Sequence, residues 1–205
     1  MCHLGLFNHI KLLWELIEQN LVPEPTDPQV LKRFAAKFAT VQDFEAHVVN
    51  PNANVFGANA DIDTLNAGSS GNVKLGRGML QLEDSDICYI NGYLGKLRIE
   101  CWGPNLEESS DSLWNSACWT SAINLFCQMA ASGVYHDSSL NHSYVNNIMM
   151  LIQAYNHYVH FCIEEWYKIE MKQKGKYEKA MLANKNQKNS ERVSSREGMT
   201  HMAGS

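Results

Sequence analysis

Residues 143–172 carry apolar side chains that alternate three and four positions apart along the whole segment. This heptad spacing is typical of a long helix with one continuous apolar seam. A second apolar stripe falls on another face, so the helix is predicted to be buried on two sides, either centrally in its domain or partly against a partner. The seam consists of Val145, Ile148, Ile152, Tyr155, Val159, Cys162, Trp166 and Ile169, and the second stripe of Tyr144, Leu151 and Tyr158.

Two helices are predicted near the N-terminus. The first covers residues 10–21, where apolar side chains recur at helical spacing before a proline-rich segment. The second covers residues 28–41. Its start is indicated by Asp27, because aspartate is a good N-cap and the proline that follows suits the first helical position.

The middle of the chain is less regular. Residues 49–75 are rich in Asn, Gly, Ala and Ser and are predicted to form a long irregular segment, of the kind that often carries function. Residues 86–103 contain short alternating runs, which indicate a strand or a loop. A further helix is predicted to begin at Ser110 or Asp111, run to residue 131, and end before Gly133.

These elements predict a mainly α-helical fold with long irregular loops and a long C-terminal helix. With 205 residues the chain is long enough for one domain, assigned here to residues 1–181. Residues 182–205 are predicted to form a basic, disordered tail. From Met171 onward the formal charge is +5, whereas the rest of the chain carries −10. An acidic body excludes a nucleic-acid-binding core and leaves only the tail as a candidate contact for nucleic acid.

The N-terminal sequence lacks the pattern of a secretory signal, and no apolar run reaches the roughly 18 residues that a membrane span requires. An intracellular location, or one inside a particle, is therefore expected.

The six cysteines contain no Cys-x-x-Cys pair, so reduced thiols are expected and structural zinc is not. No cofactor is predicted.

Two groups of side chains could carry chemistry. His157, His160 and Glu164 recur at helical spacing and could share one face as metal ligands, but ordinary polar positions between core residues are the better explanation. No metal site is predicted from them. Acidic side chains flank the irregular segment and could supply the two carboxyl groups of a glycoside hydrolase. They are Asp43, Glu45, Asp61, Asp63, Glu83, Asp84 and Asp86.

The run Leu75-Gly-Arg-Gly-Met-Leu-Gln-Leu82 has the strongest functional signature. Two glycines bracket Arg77 and indicate a tight turn, and the apolar residues that follow indicate a buried segment. Gln81 is a polar side chain within that segment, and it needs hydrogen-bond partners or a cleft to line. Arg77 and Gln81 are therefore candidate ligand-binding residues.

This run resembles the Gly-Arg-Gly-apolar-apolar-Gln-Leu signature of family 19 glycoside hydrolases, which include chitinases and phage and bacterial endolysins. Three further stretches are similar to family motifs in order and spacing: Phe34–Phe38, Gly68–Leu75 and Trp114–Trp119. The resemblance covers about residues 10–170. It implies a lysozyme-like helical fold, and it implies that Arg77 and Gln81 bind a glycan.

The chain departs from the family at both catalytic positions. Val41 stands where the family has its general acid, and Val48 stands where the family has the glutamate that activates water. Valine can neither donate a proton nor polarise water, and loss of one proton-transfer group alone removes about 10²–10⁴ in rate. Asp43 or Glu45 would supply the acid if the match is shifted by one residue.

The resemblance and the departures together predict a catalytically inactive chitinase-like domain with a structural, scaffold or interaction role, and with residual binding of a chitin or peptidoglycan fragment. A protein partner or larger assembly is expected. The alternative is an active inverting hydrolase with relocated carboxylates, which requires Glu45 and one of Asp61, Asp63 or Glu83 across a cleft, ~6.5–9.5 Å apart. A third possibility is a helical protein of a larger assembly whose family resemblance is accidental.

Overall fold

The computed structural model describes most of the helical body of the chain. The described residues are 3–16, 22–49, 71–75, 78–135, 145–177, 179–180 and 183. The predicted tail, 182–205, and most of the irregular segment 49–75 thus lie largely outside the described residues.

The prediction of a mainly α-helical fold is confirmed. In chain order the described elements are α1 (His3–Leu13), α2 (Pro28–Ala35), α3 (Val41–Val49), β1 (Gly71–Leu75), β2 (Gly78–Leu82), α4 (Asp84–Lys96), α5 (Leu113–Ala131), α6 (Ile148–His157), a π-helical segment (Tyr158–Ile163) and α7 (Glu164–Lys172). No helix among the residues described is both long and apolar enough to cross a bilayer.

Helix α5 forms the centre of the domain. Helices α1, α2, α3, α4 and α6 all contact it, and most of its side chains are buried. Small residues such as Ala117, Cys118 and Ala122 let the surrounding helices approach closely. The helix is capped by Ser112, whose side chain accepts from the Asn115 N–H, rather than by Ser110 or Asp111. Gly133 follows its end with a positive φ of 89°, as a C-terminal glycine should.

The prediction for the N-terminal helix was wrong in both boundaries, because α1 covers His3–Leu13 rather than residues 10–21. Asn8 and His9 look like surface residues in the sequence, yet both are buried. The helix ends where Glu15 adopts a positive φ of 55°, which a right-handed helix cannot accommodate.

The predicted helix over residues 28–41 corresponds to α2, which is shorter than predicted. Asp27 caps α2 as expected, with its carboxylate 2.8 Å from the Gln29 nitrogen. Helix α2 ends at Ala35, and a second start signal at Thr40 and Asp43 begins α3. The two helices meet through a cluster of buried phenylalanine rings. Its members, Phe34, Phe38 and Phe44, lie with centroids 5.0–5.8 Å apart.

The segment 86–103 was predicted to be a strand or a loop, but most of it belongs to α4. The Glu83 N–H donates to the Asp86 carboxylate at 2.9 Å, and the acidic first turn of this helix complements its dipole. Ile90 and Leu94 are buried one turn apart. Gly92 and Gly95 weaken the helical propensity, which explains why the pattern did not reveal a helix.

The long C-terminal helix begins at Ile148, capped by Asn147, rather than at residue 143. Its predicted seam is buried at Tyr155 and Val159 but exposed at its start, at Ile148, and it shifts at the π-helical turn, which inserts one residue. Beyond that turn Ile163 and Tyr167 are buried, whereas the predicted seam residues Cys162 and Trp166 are only half-buried. The second stripe is buried at Leu151 and Tyr158, while Tyr144 lies outside the described residues.

The two strands form an antiparallel hairpin in which Asn72 pairs with Gln81 and Leu75 with Gly78. The signature run therefore includes a strand that enters the core at Leu82, which is buried. The glycine-bracketed turn was predicted at Gly76 and Arg77, and those two residues lie outside the described part of the chain.

Candidate functional site

Helix α3 carries Val41 and Val48, the two valines at the positions where the resemblance predicted catalytic glutamates. Val41 is its first residue and Val48 lies in its last turn, so the two are separated by about 10.5 Å along the axis and share a face. Val48 is half-buried and packs against the core. The resemblance therefore predicts a site on one face of α3.

A groove opens beside Val48, between α3, α4 and α5. Its volume is about 610 Å³, which is within the range of small-molecule and saccharide sites. The groove is lined by Val48, Cys88, Tyr89, Gly92, Tyr93, Lys96, Asn124 and Gln128. We refer to it below as the α3–α5 groove.

Two hydrogen-bonded pairs cross the groove from α4 to α5. The Tyr89 hydroxyl donates to the Gln128 side-chain oxygen, and one turn further along the Tyr93 hydroxyl is hydrogen-bonded to the Asn124 side chain. Because both tyrosines and both amides are spaced i, i+4, the pairs form a regular ladder. Phenol rings and amide groups are thereby held in fixed positions along the groove.

The groove is lined by hydrogen-bonding side chains. Burial raises the pKa of Tyr93, the neighbouring Tyr89 raises it further, and the Asn124 hydrogen bond opposes these effects. Its hydroxyl therefore stays protonated at neutral pH. Lys96 is the charged side chain of the lining, and its backbone carbonyl oxygen lies 2.9 Å from His47 Nε2. None of the described residues that line the groove has a carboxyl group.

The carboxylates proposed from the sequence have other surroundings. Asp43 is exposed and forms a capping box with Thr40, in which each side chain accepts from the other residue's backbone N–H at 2.9 and 3.1 Å. Glu45 lies on the solvent edge of α3 and does not line the groove. Glu83 is exposed at the start of α4, five residues before Cys88. Asp61 and Asp63 lie outside the described residues.

The side chains of the two predicted glycan-binding residues lie outside the described part of the structure. Arg77 lies outside the described residues, and the description of Gln81 covers its backbone in β2 only. Their role in ligand binding therefore stays a prediction.

A second cavity of about 430 Å³ lies beside the C-terminal end of α1. It is lined mainly by apolar groups such as Trp14, Trp102 and Val30, with Glu15 and Glu24 among its acidic residues. Both glutamates are exposed. A general acid of a glycoside hydrolase lies in a desolvated pocket, and neither of these exposed side chains does.

The three residues considered as metal ligands do not converge. His157 is exposed, His160 is half-buried with its ring 6.2 Å from that of Tyr155, and Glu164 forms an ion pair with Lys168 at 2.5 Å. Within the described residues, no group of three or more His, Cys, Asp or Glu side chains could hold a metal ion. Nor does a disulfide join any two of the five cysteines described.

Comparison with known proteins gave no relative. No protein-family model, no curated protein sequence and no solved structure matches this chain.

The residues of the ladder were missed in the sequence. Tyr89 and Tyr93 fell in a segment predicted to be a strand or a loop, so their spacing was not assigned to a helix face. On a helix the same spacing places both rings on one face, and Asn124 and Gln128 repeat it on α5. The capping signal at Glu83 and Asp86 was the available evidence for that helix.

Proposed function

We propose that this chain is a catalytically inactive relative of the family 19 chitinases and endolysins, with a lysozyme-like helical fold. It binds a glycan in the α3–α5 groove without cleaving it. The observation that carries the proposal is the composition of the groove: Val48 lines it, and none of its described lining residues is a carboxylic acid.

The arrangement of the family-like motifs supports the relationship. The strands β1 and β2 lie on either side of the Gly76-Arg77 sequence and are followed directly by α4, which lines the groove. The stretch Trp114–Trp119 lies on α5, the central helix, which contributes Asn124 and Gln128 to the same groove. Two of the motifs thus lie on, or directly before, a helix that lines the groove.

The chemistry of the groove supports binding. Saccharides present hydroxyl and acetamido groups that both donate and accept hydrogen bonds, and amide and phenol side chains do the same. Tyrosine also offers a large apolar face at little entropic cost. The exposed Tyr89 ring and the Gln128 amide are positioned by their mutual hydrogen bond, so little ordering is needed when a ligand arrives.

The chemistry of the groove also argues against catalysis. An inverting glycoside hydrolase needs one protonated and one ionised carboxyl group facing each other across the sugar. Asp43 is engaged in capping α3, and Glu45 is solvated. The active-enzyme alternative now depends on Glu45 with Glu83, Asp61 or Asp63.

Substitution of Tyr89 tests the proposed site. We expect Tyr89→Ala to weaken binding of a chitin hexamer or a peptidoglycan fragment by about tenfold or more, because one well-placed aromatic contact contributes at least about 1.4 kcal/mol. Binding would be measured by isothermal titration and by chemical-shift changes in the Asn124 and Gln128 amide groups.

Phe161→Ala is the matched control, because Phe161 is an exposed aromatic residue on the π-helical segment, outside the groove lining. It should leave the affinity unchanged. Equal affinities for the wild type and Tyr89→Ala, or shifts confined to residues outside α4 and α5, would contradict the proposed site.

An interaction role is supported by a separate observation. Ile148 and Met149 begin α6 with 58% and 65% of their surface exposed, although both are large and apolar. Neighbouring exposed apolar side chains of this kind are common at protein interfaces. We propose that a protein partner covers them.

Analytical ultracentrifugation of the wild type and of Ile148→Asp tests whether that partner is a second copy of the chain. A concentration-independent monomer in both proteins would exclude a second copy as the partner.

A further inference from the structure

The cavity beside the C-terminal end of α1 has two tryptophan rings in its wall. The rings of Trp14 and Trp102 meet edge to face, with centroids 5.9 Å apart and an interplanar angle of 89°. Trp102 is buried and donates its indole N–H to the Ser121 hydroxyl at 3.0 Å, whereas Trp14 is only half-buried. Trp14 is therefore the ring of this pair that keeps aromatic surface within reach of a ligand.

The wall around Trp14 is held in place by the fold. A Cβ atom added at Gly103 would come within 2.7 Å of Trp14 Nε1, so the indole packs directly against this glycine. The Thr26 hydroxyl donates to the carbonyl oxygens of Gly103 and Pro104, at 3.4 and 3.3 Å, and thereby fastens the segment before α2 to the same wall. Because the cavity is largely formed in advance, a ligand has little ordering to impose.

The charged side chains among the described lining residues are all acidic. They are Glu15, Glu24 and Asp27, and this lining includes no Lys, Arg or His. Asp27 caps α2, whereas Glu15 and Glu24 are exposed. The residues before Met171 carry a net charge of −10, which adds a longer-range attraction for a cation. An aromatic wall with acidic groups around it is complementary to a cation that has an apolar stem.

Arginine fits this description better than lysine. A guanidinium group stacks on an indole face, is more weakly hydrated than an ammonium group, and forms paired hydrogen bonds with a carboxylate. Its methylene stem can contact the apolar part of the lining, which includes Leu16, Pro23 and Val30. The volume of about 430 Å³ is within the range of ligand sites.

We propose that this cavity binds an arginine side chain of a partner protein. The guanidinium group stacks on Trp14, and Glu15 and Glu24 supply the carboxylates that pair with it. The site is separate from the α3–α5 groove and does not depend on the function proposed for that groove.

Titration of the full chain with the peptide acetyl-Leu-Arg-Leu-amide tests the site. Saturable binding would be measured by calorimetry and by the chemical shift of the Trp14 indole N–H. Citrulline in place of the arginine keeps the shape and removes the charge, and it should weaken binding by at least about tenfold. Trp14→Leu should weaken binding by at least about fivefold through loss of the cation–π contact. Glu24→Gln should also weaken it, by a factor that shrinks at high salt.

Trp166→Leu is the matched control, because Trp166 is another half-buried tryptophan, on α7 and outside the cavity lining. It should bind the peptide like the wild type. Glu24 is exposed, so its replacement tests the site even if Trp14→Leu fails to fold. Equal affinities for the arginine and citrulline peptides, or unchanged affinity in Glu24→Gln at low salt, would overturn the proposal.

Two further outcomes would assign the cavity to another occupant and would also overturn the proposal. Peptide binding that appears only when Arg192 and Arg196 are both replaced by Gln would identify the chain's own basic segment as the occupant. Self-association of the wild type that the arginine peptide reverses would identify a second copy.

Discussion

Asn115→Ala is expected to lower the free energy of unfolding by about 3–5 kcal/mol, because it leaves several buried backbone groups without partners. Asn115 is fully buried at the start of α5. Its side-chain oxygen accepts from the Asn105 N–H at 2.8 Å, and its amide nitrogen donates to the carbonyl oxygens of Asn105 and Ser109 at 3.0 and 2.8 Å. One side chain thus fixes the connection between α4 and α5.

Urea denaturation at neutral pH would measure this loss. Asn156→Ala is the matched control, since Asn156 lies exposed on α6, and it should change stability by less than about 0.5 kcal/mol. A loss below about 1 kcal/mol in Asn115→Ala would mean that water replaces the amide, and that the connection is less tightly held than its hydrogen bonds indicate.

His9 is expected to make the fold sensitive to acid. Burial lowers the pKa of its imidazole from 6.5 to about 3, while a smaller effect of the Ala122 carbonyl opposes the shift. In the unfolded chain the imidazole therefore becomes protonated as the pH falls below about 6.5, whereas in the folded chain it stays neutral until about pH 3. The stability that results is fully present above pH 6.5 and is lost as the pH falls, by on the order of 5 kcal/mol over the whole interval.

Unfolding titrations between pH 7 and pH 4 would isolate this contribution. In His9→Phe the free energy of unfolding should decrease less steeply with falling pH than in the wild type, by up to about 1.4 kcal/mol per pH unit. The Tyr135 hydroxyl, which lies 2.5 Å from His9 Nδ1, keeps the Met129 sulfur as an acceptor. Parallel pH profiles for wild type and His9→Phe would contradict the assignment.

The helical class was predictable, whereas several boundaries were not, and the reasons are physical. Asp27 and Pro28 predict the start of α2 because they are a capping residue and a first-turn proline, and the structure confirms that start. The extent of α1 depends on His9, a polar residue whose burial is decided by tertiary contacts with Phe126 and Tyr135. Such contacts join residues more than a hundred positions apart, which periodicity cannot detect.

The C-terminal helix shows a subtler limit. A heptad pattern assumes a constant helical period, and the π-helical turn at Tyr158–Ile163 breaks that assumption. One inserted residue moves the buried face from Cys162 to Ile163 and leaves Cys162 beside His157.

The candidate site was only partly visible in the sequence. Val48 was singled out by the family resemblance, and it lines the groove. The ladder of Tyr89 and Tyr93 was not visible, because it requires α4 to be recognised as a helix and α5 to lie beside it. The packing of α3, α4 and α5 decides which side chains line the groove, and none of the described ones has a carboxyl group. A local sequence pattern cannot predict that packing.

The central claim is that the α3–α5 groove binds a glycan without cleaving it, and one experiment follows both events. Chitin hexamer and soluble peptidoglycan fragments would be titrated into the protein, and the same samples would then be analysed for new reducing ends by mass spectrometry. We expect saturable binding, with the ligand recovered intact. Steady turnover that is abolished by Glu45→Gln would contradict it, and so would the absence of saturable binding to either ligand.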